Sequence, residues 1–232
     1  MSSSISANVQ HIRETIQRAA QQCGRDPASV CVIAATKTVS YEQLEEAYAS
    51  QLRHFGENRW QEAQEKMERF GHREGVSWHF IGRMQRRKLK ALVGRFCLLH
   101  SVESLEQAQE LDRLADQSHL RQDVLLQVNI VDEGSKVGFS EAGLKQVIDD
   151  LDQLAHLNIR GLMALPPWTQ DPEASRPHFA RLREVRDELA RQPLQRMHLR
   201  DLSMGMSHDY HIAVQEGATF VRIGTAIFGA RV

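Results

Sequence analysis

Cysteine and proline are scarce in this 232-residue chain, at three and six, and aromatic residues make up only 6% of it. Cys23, Cys31 and Cys97 leave an odd count with no C-x-x-C spacing. That excludes a disulfide framework and points to buried free thiols in a reducing compartment. No Pro- or Gly-rich linker, repeat or low-complexity stretch divides the sequence, so residues 1–232 read as one domain. Neither sign of charge dominates. A formal net charge of −1 gives no push toward nucleic acid or a membrane surface, and neither is expected as a partner. No apolar run approaches the length that spans a bilayer. His11, Arg13, Glu14 and Arg18 interrupt the first twenty residues, so no signal-peptide core is present and a cytoplasmic location is expected.

What is present is a soluble composition, 41% hydrophobic and 25% charged, arranged in a regular alternation. Ile5, Val9, Ile12 and Ile16 recur at helical spacing ahead of Gly24 and Pro27, which predicts an N-terminal amphipathic helix. Short β-branched runs then predict strands at about 30–36, 54–57, 76–81, 96–100, 123–129, 158–163, 199–203 and 219–223. Amphipathic helices are predicted between them at about 40–51, 58–69, 85–93, 103–117, 140–153, 175–191 and 208–216. Asn58 reads as an N-cap of the second of these, and Ser101 stands ahead of the fourth. Strands alternating with helices, without hairpin turns, imply an α/β fold with a parallel sheet. Strand count, chain length and phosphate-type loops after the last two strands favour a single-domain (β/α)8 TIM-type barrel with an extra N-terminal helix. An open doubly wound sheet is the competitor.

The chemistry concentrates at three places. Phe220-Val221-Arg222-Ile223-Gly224-Thr225 brings an arginine, a glycine and a hydroxyl to a strand end that opens a helix, a set suited to a phosphate. Leu202-Ser203-Met204-Gly205-Met206-Ser207 reads as a second loop of that character. Val32-Ile33-Ala34-Ala35-Thr36 runs into Lys37, which places an amine at the catalytic face of a barrel. A loop lysine alone is ordinary; a lysine facing a phosphate cradle suggests a phosphorylated aldehyde held as a Schiff base, with pyridoxal phosphate the obvious candidate. Arg222 would then donate to the ring nitrogen and leave it unprotonated, a weaker electron sink than a carboxylate partner gives. Asn58 reads as a ring-hydroxyl donor, a helix cap, or both. His79, in Trp78-His79-Phe80-Ile81-Gly82, reads as pocket lining only. His208 and His211 lack a third metal ligand at useful spacing. Arg83, Arg86, Arg87, Lys88 and Lys90 read as a solvated helix face, and Pro166-Pro167-Trp168 as a pocket cover or a stiff surface loop.

Taken together, Ala35-Thr36-Lys37-Thr38, His54-Phe55-Gly56-Glu57-Asn58, Trp78-His79-Phe80-Ile81-Gly82, Gly161-Leu162-Met163, Leu202–Ser207 and Val221–Gly229 resemble the pyridoxal-phosphate homeostasis family. These are small barrels related to the barrel domain of alanine racemase. The resemblance implies that Lys37 carries the cofactor, that Ser203, Gly205, Gly224 and Thr225 hold its phosphate, and that Arg222 faces the pyridine nitrogen. It further implies that Asn58 and Met163 line the ring, and that Lys136 serves cofactor transfer or a second site. Thr36, where many members have serine, and Arg83-Met84 after Gly82 depart from the pattern.

Two functions follow. One is an amino-acid racemase or decarboxylase; the other is a carrier that buffers pyridoxal 5'-phosphate and hands it to apo-enzymes without turnover. Racemisation needs an acid–base group on each face of the substrate carbon. In the racemases the second comes from an added β-domain and a partner subunit, which a chain ending at Val232 is expected to lack. The carrier, as a monomer, is the favoured reading; a structural protein with a vestigial site is the third.

Overall fold

The computed structural model describes residues 4–131 and 137–229. Helix α1 (Ile5–Gln22) precedes β1 (Cys31–Ala35), α2 (Tyr41–Ala49), β2 (His54–Glu57), α3 (Trp60–Phe70), β3 (Ser77–Phe80), α4 (Leu89–Leu92) and β4 (Leu98–Val102). There follow α5 (Leu105–Gln117), β5 (Gln122–Gln127), α6 (Glu141–Asp152), β6 (Leu157–Met163), α7 (Arg176–Ala190), β7 (Asp201–Met206), α8 (Tyr210–Gln215), β8 (Phe220–Ile223) and α9 (Thr225–Phe228). The strands run parallel in chain order, and β1 pairs with β8 through Val32 opposite Val221 and Ile33 opposite Arg222. That pairing closes the sheet, so the chain is a (β/α)8 barrel and the open sheet is excluded.

Two apolar layers hold it. Between sheet and helices lies a continuous core that includes Phe55, Leu99, Leu126, Leu162, Phe179 and Val221. Inside the barrel a smaller cluster joins Ile33, Leu98, Leu125, Met163 and Phe220. Helix α1 buries the predicted face, Ile5, Val9, Ile12 and Ile16. Each such isoleucine contributes about 1.5–3 kcal/mol. Asn8 Nδ2 donates to Ile227 O at 2.8 Å, so α1 also steadies the α9 turn.

Several boundaries differ from the sequence reading. The segment 85–93 forms only a 3-10 turn at Arg86–Lys88 and the single turn of α4. Its three consecutive cations leave too few apolar positions for a longer buried face. Arg59, not Asn58, is the N-cap of α3, and Ser104, not Ser101, caps α5. Ser101 instead donates to Gly82 O. The run 202–206 is strand, not loop, because β7 continues to Met206 across a register shift. The cysteines are free, but Cys23 and Cys97 are exposed and Cys31 is half-buried.

Candidate functional site

A cavity of about 460 Å³ opens at the C-terminal ends of the strands. Ala35 and Lys37 enter it after β1, Asn58 after β2, and Ile81, Gly82 and Arg83 after β3. The opposite wall is Leu165, Pro167, Trp168 and Thr169 after β6, Met206 to Asp209 after β7, and Arg222, Gly224 and Thr225 from β8 and its turn. This is the face where barrel loops carry function. Lys37, Asn58, Arg222, Gly224 and Thr225 are thus brought together as expected.

The Lys37 turn is tied down on both sides. Thr36 N donates to Gly56 O at 2.9 Å and Thr36 Oγ1 to Glu57 Oε1 at 2.6 Å. Lys66 Nζ donates to Thr36 O, to Glu57 Oε1 at 2.9 Å and to Glu62 Oε1 at 2.7 Å. Thr38, with φ 63°, donates its N–H to the same Glu62 oxygen at 2.5 Å. Glu57 is fully buried, and burial raises its carboxyl above the usual range despite Thr36 and Lys66.

Lys66→Met removes the cation from this brace and leaves Glu57 buried without it. The expected loss is about 2–3 kcal/mol, or roughly 4–12 °C in Tm. A folded-state value above the unfolded one means that ionising Glu57 costs the fold stability as pH rises. The gap between variant and parent therefore narrows as pH falls through Glu57's folded value. Thermal melts across pH check both; a gap that widens toward acid contradicts the assignment.

Arg222 forms the floor. It is 5% exposed, and its Nη1 donates to Ser203 O at 2.9 Å and Ser203 Oγ at 2.6 Å. Nη2 donates to Ala164 O at 2.9 Å. These acceptors are neutral oxygens. Burial lowers the guanidinium to about 10, with Asp209 opposing, so it stays charged near neutrality. Asp209 itself accepts from Met206 N at 2.7 Å and Ser175 Oγ at 3.0 Å.

Three of the expected site residues, Ser203, Gly205 and Met163, lie outside the cavity lining. Ser203 is fully buried beneath the cavity and engaged by Arg222 and His100, so it does not line the wall. Gly205 lies within β7 at φ 88°, where a Cβ would come 2.5 Å from Ala213 Cβ; it serves strand geometry and α8 packing. Met163 is 1% exposed in the inner barrel cluster. His79, read as lining, is buried inside the barrel as well. Lys136 lies outside the described residues.

Ser207 is the residue missed. Its Oγ accepts from Gly224 N at 3.2 Å and Ala226 N at 3.1 Å, joining the β7 and β8 loops at the cavity. The only hint was a second serine in the Ser203–Ser207 run; the bulge between Ser203 and Met206 decides which one faces the cavity. Trp168, 75% exposed, stands at the mouth with its ring 6.0 Å from that of His208. Among the described residues no group of three His, Cys, Asp or Glu side chains is placed to hold a metal, and no helix is long and apolar enough to cross a membrane.

The alanine racemase N-terminal domain family matches residues 7–232. A pyridoxal phosphate homeostasis protein of Pseudomonas aeruginosa is 42% identical over 229 residues, covering 99% of this chain and 96% of its own. One from Aquifex aeolicus is 41% identical over 220 residues, covering 95% of each. The chain belongs to this family. Within the family, PipY of Synechococcus elongatus, solved with PLP bound, superposes with a TM-score of 0.82 at 37% identity, covering 93% of this chain and 100% of PipY. An alanine racemase of Clostridium difficile, 15% identical with a TM-score of 0.73, shares the fold across 98% of this chain but only 56% of its own length.

Proposed function

We propose that this protein binds pyridoxal 5'-phosphate through Lys37 and carries or buffers it, without a dedicated turnover. The observation that carries the reading is one cavity holding an amine at Lys37, a charged arginine bonded to neutral oxygens at Arg222, and hydroxyl donors at Ser207 and Thr225 on either side of Gly224. That donor set fits the group: an amine for an aldehyde, a proton donor for a ring nitrogen, and donors for a phosphate. The family relationship and the PLP-bound structure of PipY support the same reading.

When bound, pyridoxal phosphate supplies an aldehyde that an amine captures with loss of water, and an electron-accepting ring. The brace beneath Thr36 fixes the backbone on either side of Lys37, which lines the cavity. Asn58 offers an amide on the same wall, and Trp168 and Pro167 stand at the mouth. Arg222 does not surrender its proton readily, so a ring nitrogen facing it stays neutral and accepts electrons weakly. That favours holding the cofactor over carbanion chemistry. A racemase or decarboxylase is the alternative, separated by incubating loaded protein with L-alanine and measuring D-alanine and amine product. The carrier reading expects neither, together with recovery of activity when loaded protein is mixed with a pyridoxal-phosphate-dependent apo-enzyme. A monomer in the cytoplasm is the accompanying expectation.

Thr225→Ala should raise the Kd for pyridoxal phosphate about five- to tenfold through loss of one donor to a charged group. Affinity for pyridoxal, which has no phosphate, should stay within about twofold. Parallel titrations read this out; equal losses for both ligands place Thr225 away from the phosphate.

A further inference from the structure

A file of polar side chains runs through the barrel where such interiors are otherwise filled with apolar layers. Starting at the cavity, Arg222 Nη1 donates to Ser203 Oγ at 2.6 Å. His100 Nδ1 lies 2.9 Å from the same hydroxyl, His79 Nδ1 lies 3.0 Å from His100 Nε2, and His54 Nδ1 lies 2.9 Å from His79 Nε2. Ser203 and His100 are fully buried and His79 is 2% exposed. His54 reaches a cleft between α1 and the N-terminal mouth of the barrel. Phe220 flanks the file, with ring centroids 5.8 Å from His79 and 5.6 Å from His100.

The direction of every hydrogen bond follows from one fact: a guanidinium only donates. Ser203 Oγ must accept from Arg222, and its one hydroxyl proton then goes to His100 Nδ1. Were His100 to donate there instead, that fully buried proton would find no other acceptor among the described residues, a costly arrangement. His100 therefore carries its proton on Nε2 and gives it to His79 Nδ1. His79 likewise carries Nε2–H and donates to His54 Nδ1, leaving His54 Nε2–H toward the cleft. Each imidazole turns its lone pair toward the guanidinium and its N–H away. Protonation does not disrupt this order, since burial pushes His79 down to about 3 and His100 well below the usual histidine range. Arg160, held between Asp123 at 2.9 Å and Asp201 at 2.8 Å, adds to the same effect on both.

We propose that Ser203, His100 and His79 are positioning residues for Arg222, a one-directional hydrogen-bond chain that holds the guanidinium in place and turns aligned neutral dipoles toward it. A carboxylate partner would compete with the ring nitrogen for the guanidinium; a chain of neutral acceptors does not. The arrangement keeps Arg222 a donor to an uncharged acceptor on the cavity side. It also makes the ring end of the site sensitive to a residue on the far face of the barrel. The part concerning the ring rests on the pyridoxal phosphate reading; the chain itself does not.

Two measurements test it. Nitrogen-15 spectra of the histidine rings in the unliganded full-length protein should show His79 and His100 as neutral Nε2–H tautomers at pH 7. An Nδ1–H tautomer at His100 overturns the proposal. Ser203→Ala and His100→Leu should each release bound pyridoxal phosphate about tenfold faster, as expected for losing one hydrogen bond at a charged group. Both should also shift its absorption maximum, whereas His100→Gln, which can both accept and donate, should return both readouts toward the parent. Unchanged release and absorption in both disrupting variants, with folding intact by thermal melt, also overturn it. A parent protein that takes up no pyridoxal phosphate overturns the cofactor reading instead, and the tautomer spectra still decide the chain.

Discussion

Lys37→Ala leaves a protein that folds like the parent but yields no borohydride-trapped pyridoxyl adduct. Lys37 follows a strand end, half-buried in a turn whose neighbours, Thr36 and Thr38, are held by Glu57, Lys66 and Glu62. The lysine's own backbone is therefore positioned by others, and truncating its side chain leaves the brace in place. Losing the covalent attachment should weaken pyridoxal phosphate binding by at least ~10-fold, about 1.4 kcal/mol or more. What remains is binding through the β7 and β8 loops, which borohydride does not fix. Treatment with borohydride followed by peptide mass analysis reads this directly. Adduct in undiminished yield on another lysine would place the covalent chemistry elsewhere.

Among the glycines of the described residues, Gly161→Ala should be the most damaging added methyl. Gly161 sits in β6 opposite Asp201 of β7, and a Cβ there would lie 1.9 Å from Asp201 O and 2.6 Å from its carbonyl carbon. The obstacle is backbone, so no side-chain rotation relieves it. Strands β6 and β7 must separate, and Ala164 and Ser203, which supply Arg222's acceptors, lie just along those strands. Overpacking usually costs 1–3 kcal/mol; a clash with ladder backbone should reach about 4 kcal/mol or more. For a chain of this size that is a Tm lowered by roughly 8–16 °C, or failure to accumulate as folded protein. A melt within about 2 °C of the parent would show that the strands part without cost.

The barrel was legible because its signal is repeated. Alternating β-branched runs and amphipathic segments recur along the chain, and the closing contact, Ile33 opposite Arg222, joins the two segments richest in chemistry. Lys37, Asn58, Arg222, Gly224 and Thr225 were legible as a cavity set because each stands at or just beyond a strand end. That Ser207 and not Ser203 reaches the cavity lining was not legible, because side-chain alternation fails across a bulge and one sequence gives no sign of where the extra residue falls. The placement of Met163 carries the same kind of ambiguity: at the last position of β6 a side chain faces either the inner cluster or the rim, and here it joins the cluster. The histidine file escaped notice because His54, His79 and His100 are far apart in sequence, and each alone looks like an ordinary packing residue. Only the parallel register of β2, β3 and β4 lines them up.

The central claim is that this cavity holds pyridoxal phosphate covalently at Lys37. The absorption spectrum of the purified protein, loaded with pyridoxal phosphate and then reduced with borohydride, tests it in one experiment. The account predicts a visible band that bleaches on reduction and a pyridoxyl mass on the peptide containing Lys37. A protein that stays colourless and takes up no added pyridoxal phosphate would contradict it.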